Sequence, residues 1–544
     1  MKKQSVDRVS PVEQKIKIVD LFAGPGGLGE GFSSHPAFRI VVSAEMESSA
    51  HATLRLRAFY RILKRYGDDA VAPYFALCNG EKPPSDKTPL PHWDGQTKKA
   101  WHEACEEALQ LTLGETESNA KLDEAIKASE IHAEDPWVLI GGPPCQAYSL
   151  VGRARNKGKA DYRAQEDHRH FLYREYLRII ARYKPSVFIM ENVKGILSSK
   201  VGDQQIFHTI LSDLAAPEAA MGLPYDEVSG YRIYSLVTDT CFTKNDDPEQ
   251  IDARDFIVRA EHYGIPQARH RVILLGVRED VCRAHHEDWT PPHLRPSMEL
   301  CVEDAIGTLP RLRSKISRGH DSEEKWKDQV TYHARDLAKE AAKEGLSDLA
   351  IQLETVAYSG KLPNSATCPL EPYRAPTTSS SKLNDWYTAN GIAHQLTHHL
   401  NHEARGHMES DLRRYVFASA FAHAKGHSPK GHTDFSLRGL TPAHNNWKSG
   451  KFADRFRVQI KDRPSTTVTS HIAKDGHYFI HYDPVQCRSL TVREAARLQT
   501  FPDDYFFQGN RTQQYHQVGN AVPPYLARQI AEIAFAILES RNPR

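Results

Sequence analysis

The feature that most narrows the fold of this chain is an alternation. Short apolar runs that read as buried strands recur at Lys15–Phe22, Arg39–Ala44, Trp137–Ile140, Ser186–Met190 and Val272–Val277. Between them lie stretches of helical periodicity such as Thr53–Tyr66 and Phe171–Tyr183. Runs apolar on both faces belong to strands covered by helices on either side, so the pattern predicts an α/β fold with a doubly wound, mostly parallel sheet. Ligands of such sheets bind at the carboxyl ends of the strands. The rhythm is broken twice. Residues from about 47 to 135 read as an insertion with a Pro-rich break at Lys82–Pro91. After Arg278 the rhythm stops until about Asp462, over a loop-rich, histidine-rich region with one long charged helical stretch near Ser322–Leu353. Helical pattern returns over Leu490–Leu538, with Pro524–Leu538 as a final helix. The expected organisation is a first α/β domain over residues 1–280, a second, loop-rich domain over 281–470 and a return to the first over 471–544.

Composition sets bounds. At 544 residues the chain exceeds one ordinary core, and its 40% hydrophobic and 26% charged content is that of a globular protein. Lys and Arg total 70 against 69 Asp and Glu, so a nucleic-acid partner requires a local basic patch rather than a global field. The eight cysteines include no CxxC pair, which argues against a zinc ribbon and a disulfide framework. The start, MKKQSVDRVSPVEQK, has no apolar signal core, and no stretch has membrane-spanning length. A cytoplasmic, nucleoid-associated location is expected, where a thiol stays free to react.

Chemistry concentrates at the strand ends. Asp20-Leu-Phe-Ala-Gly-Pro-Gly-Gly-Leu-Gly29 places Gly24, Gly26 and Gly27 where the first strand stops, suiting a tight turn and close backbone approach to a ligand. Glu45 ends the second strand and suits a ribose diol. The spacing is not GxGxxG, so a nucleoside-bearing cofactor is favoured with its identity open. Val138-Leu-Ile-Gly-Gly-Pro-Pro-Cys145 sets a cysteine on a rigid turn just past a strand. A lone cysteine is more often a buried structural residue, but a core cysteine needs no Gly-Gly-Pro-Pro turn. Ser186-Val-Phe-Ile-Met-Glu191-Asn192-Val193 delivers a carboxylate in the same way. In Gln267-Ala-Arg269-His-Arg271, strand alternation puts Gln267, Arg269 and Arg271 on one face with two guanidinium groups together.

Taken in order, these motifs resemble the bacterial DNA cytosine-5 methyltransferases. The FAGPGG loop, GGPPCQ, ENV, QARHR, Arg463-Pro-Ser-Thr-Thr-Val-Thr469, Leu490–Pro502 and Gln517-Val-Gly-Asn520-Ala-Val-Pro523 carry the likeness. The resemblance implies an S-adenosylmethionine-dependent methyltransferase fold over 1–280 and 471–544, with a target recognition domain over 281–470. It implies that Cys145 adds to C6 of a flipped-out cytosine, Glu191 holds a proton on N3, and Arg271 with Arg269 in support engages the O2 region. S-adenosylmethionine supplies the methyl group to C5, leaving S-adenosylhomocysteine. Phe22 stacks on the adenine, Glu45 holds the ribose, and Pro144 and Asn520 line the cofactor pocket with Gly24, Gly26 and Gly27. The family's acidic contact to adenine has no assigned residue here. The chemistry is self-consistent, because C5 of cytosine becomes nucleophilic only after addition at C6.

Between Gly152 and Lys184 lie ten cations, among them Arg153, Arg169, Arg174 and Arg178, against Asp161, Glu166, Asp167 and Glu175. Arg153–Lys159, with its glycines, reads as a mobile basic loop beside the nucleophile, suited to phosphate contacts. By the resemblance Gln146, Ser149 and Arg169 match the family's DNA-contacting positions, and Arg153 and Gln267 are further DNA-binding candidates. In the second domain Lys430–Arg463 is locally basic, and Arg438, Asn445 and Asn446 carry groups able to read base edges. His394, His398 and His402 stand at helical spacing but lack a cysteine or carboxylate partner, so no metal is expected. The expected partner is double-stranded DNA and the expected state a monomer, protecting host DNA beside a restriction nuclease or in phage defence. An RNA cytosine methyltransferase, an orphan epigenetic methylase and a catalytically silent DNA-binding relative are the alternatives.

Overall fold

A computed structural model describes residues 15–144, 172–201, 204–224, 229–285, 289–317, 319–367, 372–377, 380–389, 391–442, 455–474 and 476–539. Its centre is a nine-stranded sheet: β1 (Ile16–Leu21), β2 (Phe38–Glu45), β3 (Ala108–Gln110), β4 (Trp137–Gly141), β5 (Val187–Val193), β6 (Tyr231–Tyr234), β7 (Cys241–Phe242), β8 (Ile257–Arg259) and β9 (His270–Arg278). The order across the sheet is β3-β2-β1-β4-β5-β9-β6-β7, with β8 paired to β9. Strands β3 through β5 in that order run parallel, whereas β9 runs antiparallel to β5, with Ile273 opposite Glu191. The reversal puts the beginning of β9 at the edge where β1, β2, β4 and β5 end.

The five runs read as strands are strands, because Val, Ile and Leu on both faces are covered by helices. One face packs under α6 (Leu172–Tyr183), burying Tyr176, Ile179 and Ile180 with Leu139 and Phe188. The other packs under α1 (Gly27–Ser33) and the last helix, α12 (Pro524–Glu539), where Phe32 meets Leu526, Ala527 and Ile530.

The insertion at 47–135 is not a detached body. It opens with α2 (Ser48–Lys64), continues through α3 (Ala72–Cys78) and α4 (Gly95–Glu107), and then supplies edge strand β3 and α5 (Thr116–Ala128) to the main sheet. Its apolar core of Leu54, Phe59, Trp93 and Trp101 is shared with Leu396 and Leu400 from far along the chain. Asn79 ties the two segments, donating to Gln395 O at 3.0 Å and accepting from Thr397 N at 2.9 Å.

The single helical stretch expected near 322–353 is two helices, α7 (Glu323–Lys343) and α8 (Ser347–Tyr358), because Gly345 turns left-handed at φ 72° between them. With α9 (Glu409–Lys425) they bury Trp326, Leu337, Leu353 and Phe417 in a core of their own, so this region carries more helix than a loop-rich reading implies. Val302 N donates to Arg463 O at 2.9 Å and Glu303 N to Lys461 O at 3.0 Å, so the region's departing and returning strands of chain meet. The chain then runs through α10 (Val492–Leu498) and α11 (Arg511–Asn520). Helical spacing of His394, His398 and His402 is not realised, since the helical turn there ends at Gln395. His402 is instead buried, with Nδ1 against Thr491 Oγ1 and Nε2 against Pro310 O, both at 2.9 Å.

Candidate active site

The glycine loop leaves β1 sharply. Phe22, a non-glycine, adopts φ 56°, and Gly26, at φ 96°, begins α1. A Cβ on Gly26 would stand 2.9 Å from Leu54 and 3.0 Å from the Tyr505 hydroxyl, so only glycine fits there. That hydroxyl donates to Pro25 O. Glu45 folds back on the loop, one oxygen accepting from Gly24 N and the other from Glu47 N, each at 2.8 Å. Burial lifts the Glu45 carboxyl above the usual range, and these amides oppose the shift. Phe22 and Gly24 are half-buried, Gly27 is buried in the first turn of α1, and Asn520 is exposed at the end of α11.

Beneath this loop an interaction network ties distant segments together. Arg57 of α2, 3% exposed, reaches Glu30 Oε1 at 2.6 Å, Glu30 Oε2 at 2.9 Å and Asp504 Oδ2 at 3.0 Å. Its guanidinium also lies 4.0 Å from the Tyr60 ring and 4.9 Å from that of Tyr505. Asp20, within β1, is fully buried, and neither carboxylate oxygen has a hydrogen-bond partner among the described residues. Burial pushes its carboxyl up to about 8, with Arg61 opposing and Glu45 and Glu107 reinforcing the shift.

The second cluster forms where β4, β5 and β9 meet. A Cβ on Gly142 would stand 3.0 Å from Glu191 Oε2, so the residue after β4 must be small for the carboxylate to lie there. Asn192 Nδ2 donates to Pro143 O at 3.2 Å, pinning the turn that leads through the half-buried Pro144 to Cys145. Cys145 lies outside the described residues, as do Gln146, Ser149, Arg153 and Arg169. Arg271, at the start of β9, approaches Glu191 Oε1 with its Nε at 2.7 Å and gives Nη1 to His270 O at 2.9 Å. Burial pulls the Arg271 guanidinium below the usual arginine range, partly offset by Glu191.

The two guanidinium groups expected together lie near enough to act on each other, but they have different partners. Gln267–Ala268 is a separate short strand paired with Ser465–Thr466, so the run is not one strand. Arg269, 1% exposed, gives its guanidinium to Val468 O at 2.8 Å and Gly519 O at 3.3 Å. It braces the C-terminus of α11 just before Asn520, while Arg271 alone pairs with Glu191. Gln267 is fully buried, donating to Leu498 O and Gln499 and accepting from Val468 N at 2.7 Å, so its amide is occupied within the protein rather than offered to DNA. Arg438 is 75% exposed in side chain, 3.6 Å from Asp336, while its carbonyl is held by Arg413.

Some residues at the site escaped the sequence reading. Met46 follows Glu45 and is 61% exposed, an apolar side chain at a strand end. Where an acidic adenine contact was sought after the second strand, β3 ends in Gln110, which donates to Met46 O at 3.4 Å. Gln499 donates to Val518 O at 2.7 Å and Ala521 O at 3.3 Å, sharing with Arg269 the task of fixing Asn520. No group of three or more His, Cys, Asp or Glu is placed to hold a metal among the described residues, and no described helix is long and apolar enough to cross a membrane.

Comparison with known proteins gives the arrangement its context. The family profile described as C-5 cytosine-specific DNA methylase matches residues 97–217 and 255–535. The type II methyltransferase M.Bpa9945I of Bacillus paralicheniformis is 31% identical over 541 residues, spanning 96% of this chain and 100% of the relative. The DNA (cytosine-5-)-methyltransferase M.ApeKI of Aeropyrum pernix is 25% identical, over 97% and 99% of the two chains. Among solved structures, a prophage-encoded E. coli protein assigned as a DNA modification methyltransferase shares the fold, with a TM-score of 0.53 and 17% identity over 96% of this chain and 100% of that one. A family profile matched over residues 97–217 and 255–535, with a relative aligned over 96% of the chain, places this chain in the C-5 cytosine-specific DNA methylase family, as a DNA (cytosine-5-)-methyltransferase.

Proposed function

We propose that the enzyme methylates C5 of a cytosine flipped out of a particular sequence in duplex DNA, using S-adenosylmethionine and a covalent bond from Cys145 to C6. The observation that carries this reading is the meeting of Glu191 and Arg271, 2.7 Å apart, with the Pro143–Pro144 turn at the edge where the parallel strands end. A base cannot reach such a recess while stacked, so it must leave the helix. Glu191 holds a proton on N3 of the base, which draws electrons from the ring as the Cys145 thiolate attacks C6. Arg271 orients Glu191 and faces O2. Addition leaves an electron-rich C5 that can take up the methyl group, and loss of the C5 proton to a base with expulsion of Cys145 as thiolate then restores aromaticity.

The residues at the other end fit a nucleoside-bearing methyl donor. Nothing among the described residues lies within 4 Å of a Cβ built on Gly24, so a ligand has room against the loop backbone. Glu45 stands ready for a ribose diol, with Phe22 and Met46 as apolar flanks for an adenine and Pro144 and Asn520 toward the reacting end. When bound, S-adenosylmethionine supplies an electrophilic methyl group on sulfur. Arg269 and Gln267 serve as internal braces for Arg271 and Asn520. Residues 281–470 form the target recognition domain, with exposed Arg438 among its base-reading candidates, and Gln146, Ser149, Arg153 and Arg169 contact the duplex beside the nucleophile. The type II names of relatives support a role in restriction-modification. Labelled S-adenosylmethionine offered with duplex DNA, single-stranded DNA or tRNA tests the reading. Label should enter duplex DNA at C5, and Cys145→Ala should abolish both transfer and covalent trapping on 5-fluorocytosine DNA. Label confined to RNA, or full activity of Cys145→Ala, would overturn it.

A further inference from the structure

Two buried amides run between the two ends of the site. Gln267 and Gln499 are each 0% exposed, and every polar atom of both side chains is engaged. Gln267 Oε1 accepts from Val468 N at 2.7 Å, and its Nε2 donates to Leu498 O at 3.1 Å and to Gln499 Oε1 at 3.0 Å. Gln499 Nε2 donates onward to Val518 O at 2.7 Å and Ala521 O at 3.3 Å, the carbonyls that bracket Gly519 and Asn520. The bonds point one way, from Val468 through two side chains to the end of α11. Arg269 makes a second connection between the same places, donating to Val468 O at 2.8 Å and Gly519 O at 3.3 Å. Val468 is thus held by both its N and its O, and the carbonyls of Val518, Gly519 and Ala521 all have side-chain donors. The join is also close. A Cβ on Gly519 would stand 2.3 Å from Ser470 N, so the helix end rests on the backbone just past Val468. Carbonyls at a helix C-terminus need partners, and a single capping donor would meet that need. Two amides in series go further, because a fully satisfied polar network in a core holds its members in one arrangement.

The segment that begins at Gln267 goes on to Arg271, which pairs with Glu191 at 2.7 Å. The helix that Gln499 grips ends at the exposed Asn520. We propose that Gln499 is a positioning residue for methyl transfer: it holds Asn520, and with it the reacting end of the cofactor, at a set separation from the base at Glu191 and Arg271. The assignment rests on the reading that cytosine occupies the one pocket and S-adenosylmethionine the other. Addition of Cys145 to C6 needs only the base pocket, whereas methyl transfer needs the two pockets in register. Reacting atoms must come within about 3–3.5 Å of each other, and a misplacement of about 1 Å can cost about 10²-fold in rate. Loss of the Gln499 amide therefore separates the two steps, slowing transfer and sparing addition.

The test compares full-length wild-type enzyme with Gln499→Met and Gln499→Glu on duplex DNA of mixed sequence. Methyl transfer is read with labelled S-adenosylmethionine. Addition is read separately, with S-adenosylhomocysteine in the cofactor pocket, as tritium released from C5 of cytosine. There the Cys145 thiolate adds to C6 and C5 takes a proton from water. Loss of the original C5 hydrogen to a base, with expulsion of the thiolate, then returns cytosine. Gln499→Met, close in size but without donors, should lower the transfer rate at saturating cofactor by about 10²-fold and leave tritium release and the KM for DNA at wild-type levels. Gln499→Glu keeps the oxygen that accepts from Gln267, and only its protonated form can donate to Val518 O. Burial favours the neutral acid, so its transfer rate relative to wild type should rise as pH falls from about 8 toward 6. Equal loss of transfer and tritium release, or undiminished transfer in Gln499→Met, would overturn the assignment, as would a Gln499→Glu rate that stays low throughout. If wild-type enzyme neither methylates DNA nor releases tritium, the underlying reading fails instead. Thermal melting checks that each variant folds, and if Gln499→Met does not, Gln499→Glu decides by the same comparison of transfer with release.

Discussion

Replacing Arg57 by methionine keeps most of the side chain's bulk and removes only its charge. The fork that reaches Glu30 and Asp504 at 2.6–3.0 Å is lost, leaving two carboxylates, 6% and 0% exposed, with no guanidinium between them. Breaking a buried pair by deleting one partner costs about 3–5 kcal/mol, because the remaining charge stays desolvated. Urea unfolding at neutral pH should show a loss of that order. The pH dependence has a definite sign. Burial alone raises the Glu30 carboxyl, but Arg57 outweighs it and holds the group below its ordinary value. In the wild type that contribution is present above the unfolded value of about 4.3 and fades as pH falls through the folded one. In Arg57→Met burial is far less opposed, Glu30 rises, and the deficit should shrink on acidification from pH 7 toward 5. Because Tyr505 rests on Arg57 and donates to Pro25 O, the variant should also weaken S-adenosylmethionine binding more than DNA binding. A loss under about 0.5 kcal/mol, the scale of an ordinary surface change, or a deficit that grows on acidification would refute the reasoning.

Asp20→Asn tests the buried acid below the loop. Its folded value near 8 lies above the unfolded carboxylate range, so stability is full below about pH 4 and is drawn down as pH rises toward 8. The asparagine variant should lose less melting temperature than wild type between pH 5 and 8, and parallel curves would show that Asp20 is not the cause. Glu191→Gln should lower turnover by about 10²–10⁴-fold, as expected for loss of a positioned proton donor, with S-adenosylmethionine affinity retained by calorimetry. Collapse of that affinity instead would place Glu191 in the cofactor site. Gly142→Ala pushes a methyl group to 3.0 Å from the Glu191 carboxylate and should cut turnover by up to about 10²-fold while melting changes little. Unchanged turnover would show that the carboxylate has slack.

The strands were legible because parallel strands are apolar on both faces and end abruptly. The proposed site was legible because its polar groups occupy the last residues of those strands, as Glu45, Glu191 and Asn192 do. Pairing direction was not. Val272–Val277 looks like any buried strand, and only the fold shows that its reversal lets Arg271 meet Glu191 from the beginning of a strand. Alternation held at Gln267 and Arg269, which both turn to Val468, but it could not announce that Arg269 reaches the carbonyls of Val468 and Gly519, about 200 and 250 residues away in sequence. No local pattern announces such partners. Arg57 was hidden for a related reason. In sequence it is one cation on a helical stretch, and only burial against Glu30 and Asp504 turns it into a brace.

The short hydrogen-bonded meeting of Val302–Glu303 with Lys461–Arg463 has an evolutionary reach. A stretch of chain that starts and finishes at one point can be lengthened, shortened or exchanged at little entropic cost, since closing a longer loop adds only about 0.6 kcal/mol per doubling. Whatever occupies the interval, Gln267–Ala268 still pairs with Ser465–Thr466 and Arg269 still reaches Val468 and Gly519. On the proposed reading of this region as the target recognition domain, new target sequences are acquired by swapping the interior of the loop, leaving the proposed catalytic residues under separate selection. The contacts of Leu396, Leu400 and Thr397 with the segment around Asn79 limit that freedom, so a successful graft would have to bring its own match for that surface or take the partner along.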